Sequence, residues 1–210
     1  MDAGRKIIDA IPTLAWSARP GGSNEFLNRR WHDYTGLSAE EGLGWGWKTA
    51  VHPEDLGRLT AKWESILASG EPGESEARLR HADGVYRWFL FRVEPLRDDA
   101  RQVVEWYGTA TDIEDRKRAE SLRCAEKRTL EMIADGASLE DTLNELCRAI
   151  DAQSSPVFST ILLTDPDGKQ LWQTAGPRVP RGWLPAIRHP RSNARRVIRR
   201  RTRLMASCQA

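Results

Sequence analysis

The stretch EARLRHADGVYRWFLFRVEPLRDDARQVVEWYGTATD, residues 76–112, decides the fold. Ala77 and Leu79 alternate with Glu76, Arg78 and Arg80, the two-residue period of a strand with one buried and one wet face. Asp83-Gly84 then offers a tight hairpin turn. In the strand that follows, Val85, Phe89, Phe91 and Val93 share one side, and Tyr86, Trp88 and Leu90 share the other before it turns polar at Arg92 and Glu94. Both faces are therefore apolar near its middle. After a polar turn at Arg97 to Arg101, the segment Val103 to Thr111 places Val104, Trp106 and Ala110 on one face and Glu105, Tyr107 and Thr109 on the other. Three antiparallel strands are predicted.

Upstream, Leu14-Ala15-Trp16-Ser17 and Glu25-Phe26-Leu27-Asn28 flank the turn Pro20-Gly21-Gly22-Ser23 and read as a second hairpin. Short helical pieces follow. Arg30 to Tyr34 closes on Gly36, and Ser38 can cap a turn containing Glu40 and Glu41. The stretch Gly42 to Gly46 is too glycine-rich for regular structure. Pro53 suits a first helical position, with Glu54 and Asp55 where the helix dipole favours negative charge. Leu56, Leu59, Trp63, Ile66 and Leu67 then recur at three- and four-residue steps until Gly70 and Pro72. The expected class is α+β, a five-stranded antiparallel sheet covered on one face by short helices.

Downstream the period changes. Ten of the fifteen residues from Glu114 to Arg128 are charged, with apolar points at Ala119, Leu122, Leu130 and Ile133. That is an exposed linker helix over 113–135 with a thin seam, a weak coiled-coil signal because Glu126 and Thr129 fall where apolar residues belong. At Gly136 a second unit begins. Ser138 with Asp141 resembles a capping box, and Leu139, Leu143, Leu146, Cys147 and Ile150 mark one helix face. Pro156 stops this helix, and Val157 to Thr164 and Lys169 to Thr174 form a hairpin about the turn Asp165-Pro166-Asp167-Gly168. No carboxylate follows Asp167, and residues 188–210 carry eight arginines without an apolar period. This tail reads as a truncated or out-of-frame end with no fixed structure.

With 210 residues, 40% hydrophobic and 30% charged, the chain can bury a core and lies away from the composition of disordered proteins. No apolar run approaches the ~20 residues of a spanning helix, and the N-terminus has no apolar signal core, so a cytoplasmic protein without a membrane partner is expected. Cys124, Cys147 and Cys208 show neither paired spacing nor nearby histidines, so no disulfide framework or metal site is expected. Phosphate-loop, nucleophile and metal-ligand motifs are missing, which leaves no catalytic residue to name.

Residues 24–118 resemble a PAS sensor domain with its C-terminal PAC segment, of the bacterial type found beside histidine kinases and cyclic-dinucleotide enzymes. The likeness runs through Asn28, Trp31, Tyr34, Thr35 and Gly36; Trp47 and Val51-His52-Pro53-Glu54-Asp55; Arg80, Asp83-Gly84 and Tyr86-Arg87-Trp88; and Gly108 with Thr111-Asp112-Ile113. Where that family usually ends Asp-Ile-Thr, this chain has Asp112-Ile113-Glu114, without the threonine and its local hydrogen bond. Residues 137–187 are similar to the start of a GAF domain. The organisation expected is a PAS domain over 1–112 with its PAC segment at about 74–118, the linker helix, a partial GAF-like α/β unit over 136–187, and the tail.

The strands and the 54–69 helix would enclose Leu59, Trp63, Leu79, Phe89, Phe91 and Trp106, either as a pocket for a small planar apolar molecule or as a filled core. Trp31, Trp45, Trp47 and Trp88 read either as a ligand-stacking cluster or as large core fillers. The cofactor is left open. A covalent flavin or chromophore is not expected because no cysteine precedes Cys124, nor is haem, because none of His32, His52 and His81 lies on the long helix. On the outer face, Trp88, Leu90 and Tyr107 call for a cover, from the N-terminal turn around Ile7, Ile8 and Ile11 or from a second subunit. Asp112 and Ile113 sit where a change in the sheet would pass to the linker. The reading is a sensory and dimerising module, a homodimer feeding an output kinase or cyclase domain outside this chain. Alternatives are the N-terminal fragment of a sensor histidine kinase or cyclic-dinucleotide synthase, and non-specific nucleic-acid attachment through the arginine tail.

Overall fold

The computed structural model describes residues 3–153, 158–164 and 171–178. It divides into two compact units, Met1–Lys117 and Arg118–Ala210. In the first, α1 (Ala3–Ala10) leads into β1 (Leu14–Ala18) and β2 (Asn24–Leu27). Next come α2 (Arg29–Thr35), α3 (Ala39–Gly42), a 3-10 helix (Gly46–Ala50) and α4 (Pro53–Ser69), then β3 (Gly73–Arg80), β4 (Tyr86–Arg97) and β5 (Val103–Asp112). The strands form one antiparallel sheet in the order β2-β1-β5-β4-β3, so the expected five-stranded α+β architecture is present.

Local chemistry sets the helix boundaries. Asn28 accepts the Trp31 N–H and caps α2, which ends on Gly36 at φ 73°, a left-handed turn that glycine enters without a Cβ penalty. Ser38 and Glu41 make a reciprocal capping box on α3. His52 caps α4 by accepting the Glu54 N–H at Nδ1 (3.2 Å), which requires that nitrogen to be unprotonated. Asn28 does more than cap. Fully buried, it also accepts the Ala15 N–H and donates to the Ile8, Ile11 and Thr13 carbonyls, fastening the N-terminal segment to the sheet.

The inner face of the sheet and the inward side of α4 share one core of Leu14, Trp16, Leu27, Trp31, Leu59, Trp63, Leu79, Phe89, Phe91 and Trp106 with smaller neighbours. A Cβ at Gly108 would overlap the Trp16 ring, its partner across β1 and β5, so the glycine lets a tryptophan lie flat on the strand. One sequence expectation fails here. Val104 is 44% exposed, not inward beside Trp106. The pairing shifts between Leu96 and Arg97, which oppose Glu105 and Val103, so Val104 is bulged out and Val103 packs on the core instead.

The second unit contains most of α5 (Glu114–Ala134), α6 (Leu139–Gln153) and the hairpin of β6 (Ile161–Thr164) and β7 (Leu171–Ala175). Gly136 at φ 75° ends α5, with the Ala137 N–H returning to Met132. On α6 the apolar period misleads. Leu139 and Ile150 are exposed, whereas Thr142, Glu145, Cys147 and Asp151 are buried. Three of these have partners: Thr142 the Ser138 carbonyl, Glu145 the Arg128 and Arg148 guanidinium groups, and Asp151 the Ser159 N–H at Oδ1, while its Oδ2 is buried without a partner among the described residues. Thr129 on α5 is also buried, its hydroxyl donating to the Ala125 carbonyl, although the seam pattern made it a misfit. The arginine-rich tail and Cys208 lie outside the described residues.

Candidate functional site

Two arrangements in the first unit carry chemistry. The first is a cavity between α4, the 3-10 helix, α2 and the inner sheet face, lined by Trp16, Trp31, Trp47, Trp63, Phe91 and Leu59, with Asn24 and Lys62 among its polar neighbours. Its open space is about 50 Å³, room for a few water molecules. The aromatic walls meet edge to face: Trp16 lies 5.6 Å from Trp31 and 5.9 Å from Phe91, centroid to centroid. Trp63 is fixed from outside, donating its indole N–H to the Gly22 carbonyl at 3.1 Å. The Trp31 and Trp47 indole nitrogens are buried without an acceptor, and Asn24, 9% exposed, is among the lining residues. Buried polar groups left open in this way suit a ligand or water that presents acceptors.

Of the six residues expected at the pocket, Leu59, Trp63 and Phe91 line it. Leu79, Phe89 and Trp106 do not; they are fully buried in packed core beside it, Trp106 edge-on to Trp63 at 5.6 Å and Phe89 edge-on to Tyr34 at 4.9 Å. Strand alternation gives a side chain's face but not its position along the cavity, and these three point inward away from the opening. Trp16, Ile66, Val93 and Asn24 were not singled out for the site. Trp31 and Trp47 of the four-tryptophan cluster meet there; Trp45 is 44% exposed under the Lys48 ammonium, and Trp88 lies on the other sheet face. The histidines sit elsewhere: His32 Nδ1 donates to the Leu37 carbonyl, His52 caps α4, and His81 Nδ1 accepts the Asp83 N–H. Tyr34, its hydroxyl buried without a partner, has its pKa pushed up to about 12, by burial first and by the Asp112 carboxylate second.

The second arrangement is the junction of β5 with α5. Asp112 accepts the Glu114 N–H at 2.8 Å, capping α5, and faces Arg87 at 3.5 Å. Ile113 is buried and donates its N–H to the Trp88 carbonyl at 2.9 Å. The Trp88 N–H returns to the Glu114 carboxylate at 3.0 Å, so the residue standing where threonine is usual supplies an acceptor that ties helix to sheet. Arg116 and Lys117 both pair with Glu76 on β3, which holds that carboxyl below the usual range.

The outer-face residues Trp88, Leu90 and Tyr107 are each half-buried. Cover comes from an element not considered for it: the Lys117 ammonium of α5 lies 5.1 Å from the Trp88 ring centroid and the Arg78 guanidinium 5.3 Å. Tyr107 donates to Glu105 at 2.7 Å. The expected N-terminal turn is the helix α1, which packs on β1 with Ile8 buried and Ile7 67% exposed.

A family model described as the PAS fold matches residues 24–110. The chain is 35% identical to an uncharacterized protein, y4lL, of Sinorhizobium fredii over 89% of its own length and 21% of the relative's. It is 40% identical to the peroxide stress-activated histidine kinase mak1 of Schizosaccharomyces pombe over 54% of this chain and 7% of that one. Against the methyl sulfide methyltransferase-associated sensor of Methanosarcina acetivorans the identity is 28%, over 87% of this chain and 19% of the sensor. The chain thus spans about a fifth or less of the length of these relatives. Among the described residues no helix is long and apolar enough to cross a membrane.

Proposed function

With residues 24–110 forming a PAS sensor domain, we propose that this chain is the cytoplasmic sensory and dimerising module of a signal-transduction protein, passing a change at the cavity through α5 to an output domain outside it. The observation that carries this reading is the hydrogen-bonded junction: the cavity-bearing sheet and the first turn of α5 exchange the Ile113–Trp88 and Trp88–Glu114 bonds. A histidine kinase is the output favoured by the relative mak1. In the cavity, Leu59, Trp63 and Phe91 act with Trp16, Trp31 and Trp47 as the wall a small planar molecule would meet, and Leu79, Phe89 and Trp106 back that wall. Asp112 and Ile113 transmit the change. Leu90 and Tyr107, with the exposed seam of Leu122, Leu130 and Ile133, are the surfaces assigned to a second copy. Residues 136–187 are taken as a partial GAF-like unit and 113–135 as the linker.

Two positions of such a helix that differ by a few kcal/mol suffice for a switch. The test is the chain fused to the catalytic half of a histidine kinase, with and without Asp112→Ala. The variant loses the cap on α5, a cost of about 1 kcal/mol, and keeps its sheet. Its autophosphorylation rate is expected to move several-fold from the parent fusion; an unchanged rate with a dimeric, folded fusion overturns the assignment. Small molecules released from the purified chain and weighed by mass spectrometry identify a cavity occupant.

A further inference from the structure

On β3, Arg78 stands where the cavity helix, the outer sheet face and the linker helix meet. Asp55, buried in the first turn of α4, accepts three of its N–H groups: the backbone at 2.9 Å, Nε at 2.8 Å and Nη2 at 3.1 Å. Glu54 beside it accepts Nη2 at 2.8 Å. Further along the same helix, Leu59, Lys62, Trp63 and Ile66 line the cavity, so an occupant that displaces α4 displaces these carboxylates with it. In the other direction, Arg78 is the cross-strand partner of Trp88, and its guanidinium lies over the ring that also carries Lys117. Lys117 is held in turn by Glu76, two residues before Arg78 on the same face of β3.

We propose that Arg78 is a positioning residue coupling the cavity helix α4 to the first turns of α5. This rests on the sensory reading above and names how its cavity is joined to its output. Two cations share one aromatic ring only while each is neutralised on its own side, Arg78 by Asp55 and Glu54, Lys117 by Glu76. Release of Arg78 from Asp55, like loss of its side chain, takes the guanidinium off the Trp88 ring, which is then held from one side only. The ring and the Lys117 ammonium beside it shift, and the first turns of α5 loosen from the sheet. The hydrogen bonds from Arg78 to Asp55, which hold its carboxyl below the usual range, keep that arrangement closed at neutral pH.

Amide hydrogen exchange on the full chain reads this directly, without a ligand or an output domain. Asp55→Asn and Arg78→Met are each expected to raise exchange across residues 114–121 by about three- to tenfold while 86–97 keep their protection. Arg92→Met, which breaks an ion pair with Glu74 on the same face, leaves 114–121 unchanged. Combining Asp55→Asn with Arg78→Met adds nothing further, because both cut one connection. Unchanged exchange in either single variant, an equal rise in Arg92→Met, or additive rises in the double variant overturns the proposal. Should Asp55→Asn lose protection throughout the sheet, the exposed Glu54→Gln decides: a smaller rise confined to 114–121 supports the coupling and no rise overturns it. A chain that passes these tests but whose kinase fusion ignores Asp112→Ala defeats the sensory reading and leaves the coupling standing.

Discussion

The two faces of the same sheet solve opposite problems with the same amino acid. Inside, Trp16, Trp31, Trp63 and Trp106 are each at most 8% exposed and pack edge to face, and three of the core and cavity indoles, Trp31, Trp47 and Trp106, leave their N–H groups without an acceptor. Outside, Trp88 is half-buried beneath two cations that three carboxylates hold in place, Glu54 and Asp55 on Arg78 and Glu76 on Lys117, while Glu114 accepts the Trp88 backbone N–H. The inner face is stabilised by area removed from water, which is insensitive to direction. The outer face depends on charge and geometry, which can be rearranged at small cost. The proposed function assigns reception of a signal to the first and its transmission to the second.

That contrast can be broken most severely from within. Trp106→Ala, which deletes a fully buried ring against Trp63, is expected to cost about 4 kcal/mol, read as a lower denaturation midpoint with an unchanged slope. A cost near that of an exposed residue would mean that the inner aromatics are not the core.

At the boundary between the faces, Asp55→Ala leaves the Arg78 backbone N–H without its acceptor and the guanidinium with Glu54 alone, and should cost about 2 to 3 kcal/mol. The depressed pKa of Asp55 means that its folded state binds a proton less readily than the unfolded chain. Its stabilising contribution is therefore complete above the unfolded value near ~3.9 and is lost as pH falls from there through the folded value. Urea denaturation at a series of acid pH values should show that loss in the parent and a shallower one in Asp55→Ala.

Trp88→Leu probes the outer face alone. It keeps apolar area and removes the ring beneath Arg78 and Lys117, for an expected loss of about 1 kcal/mol that shrinks as salt is added. A loss as large as that of Trp106→Ala would erase the distinction between the faces.

Tyr34→Phe has the smallest effect and the most diagnostic sign. Its hydroxyl is buried without a partner, so removal should leave stability unchanged or raise it by about 0.5 kcal/mol at neutral pH. Because the folded pKa is raised from 10.0 to about 12, the neutral phenol's contribution is complete below the unfolded value and is lost as pH rises through the folded one. The parent should weaken across that alkaline interval more than Tyr34→Phe does, by circular dichroism melting.

Strands and caps were legible because they depend on neighbours in sequence. The alternation around Ala77, Leu79, Phe89 and Phe91, the Ser38 cap and the Gly36 and Gly70 stops all appear where residue type and spacing put them, whereas Asn28, read as the end of a strand, caps α2 instead. The cavity was half legible. Helical and strand periods found Leu59, Trp63 and Phe91, but no local pattern says that Leu79, Phe89 and Trp106 sit behind the wall and not in it, or that Asn24 joins the lining. Val104 failed for a similar reason, since a bulge depends on the pairing of two strands and leaves no mark in either alone. On α6, the face chosen by apolar spacing differs from the buried one: Thr142 is satisfied locally by the Ser138 carbonyl, and Glu145 and Asp151 find partners in Arg128 and Ser159, which lie outside the helix.

The order of residues by itself determined that five strands and a long amphipathic helix would form and that aromatic side chains would fill the space between them, because backbone periodicity and hydrophobicity are properties of short segments. Only the tertiary structure decided which tryptophans face an opening, and that Asp55, Arg78, Trp88, Lys117 and Glu76 would converge from two helices and two strands. Such a convergence is fixed by sheet register and helix placement, which bring together residues up to 62 positions apart.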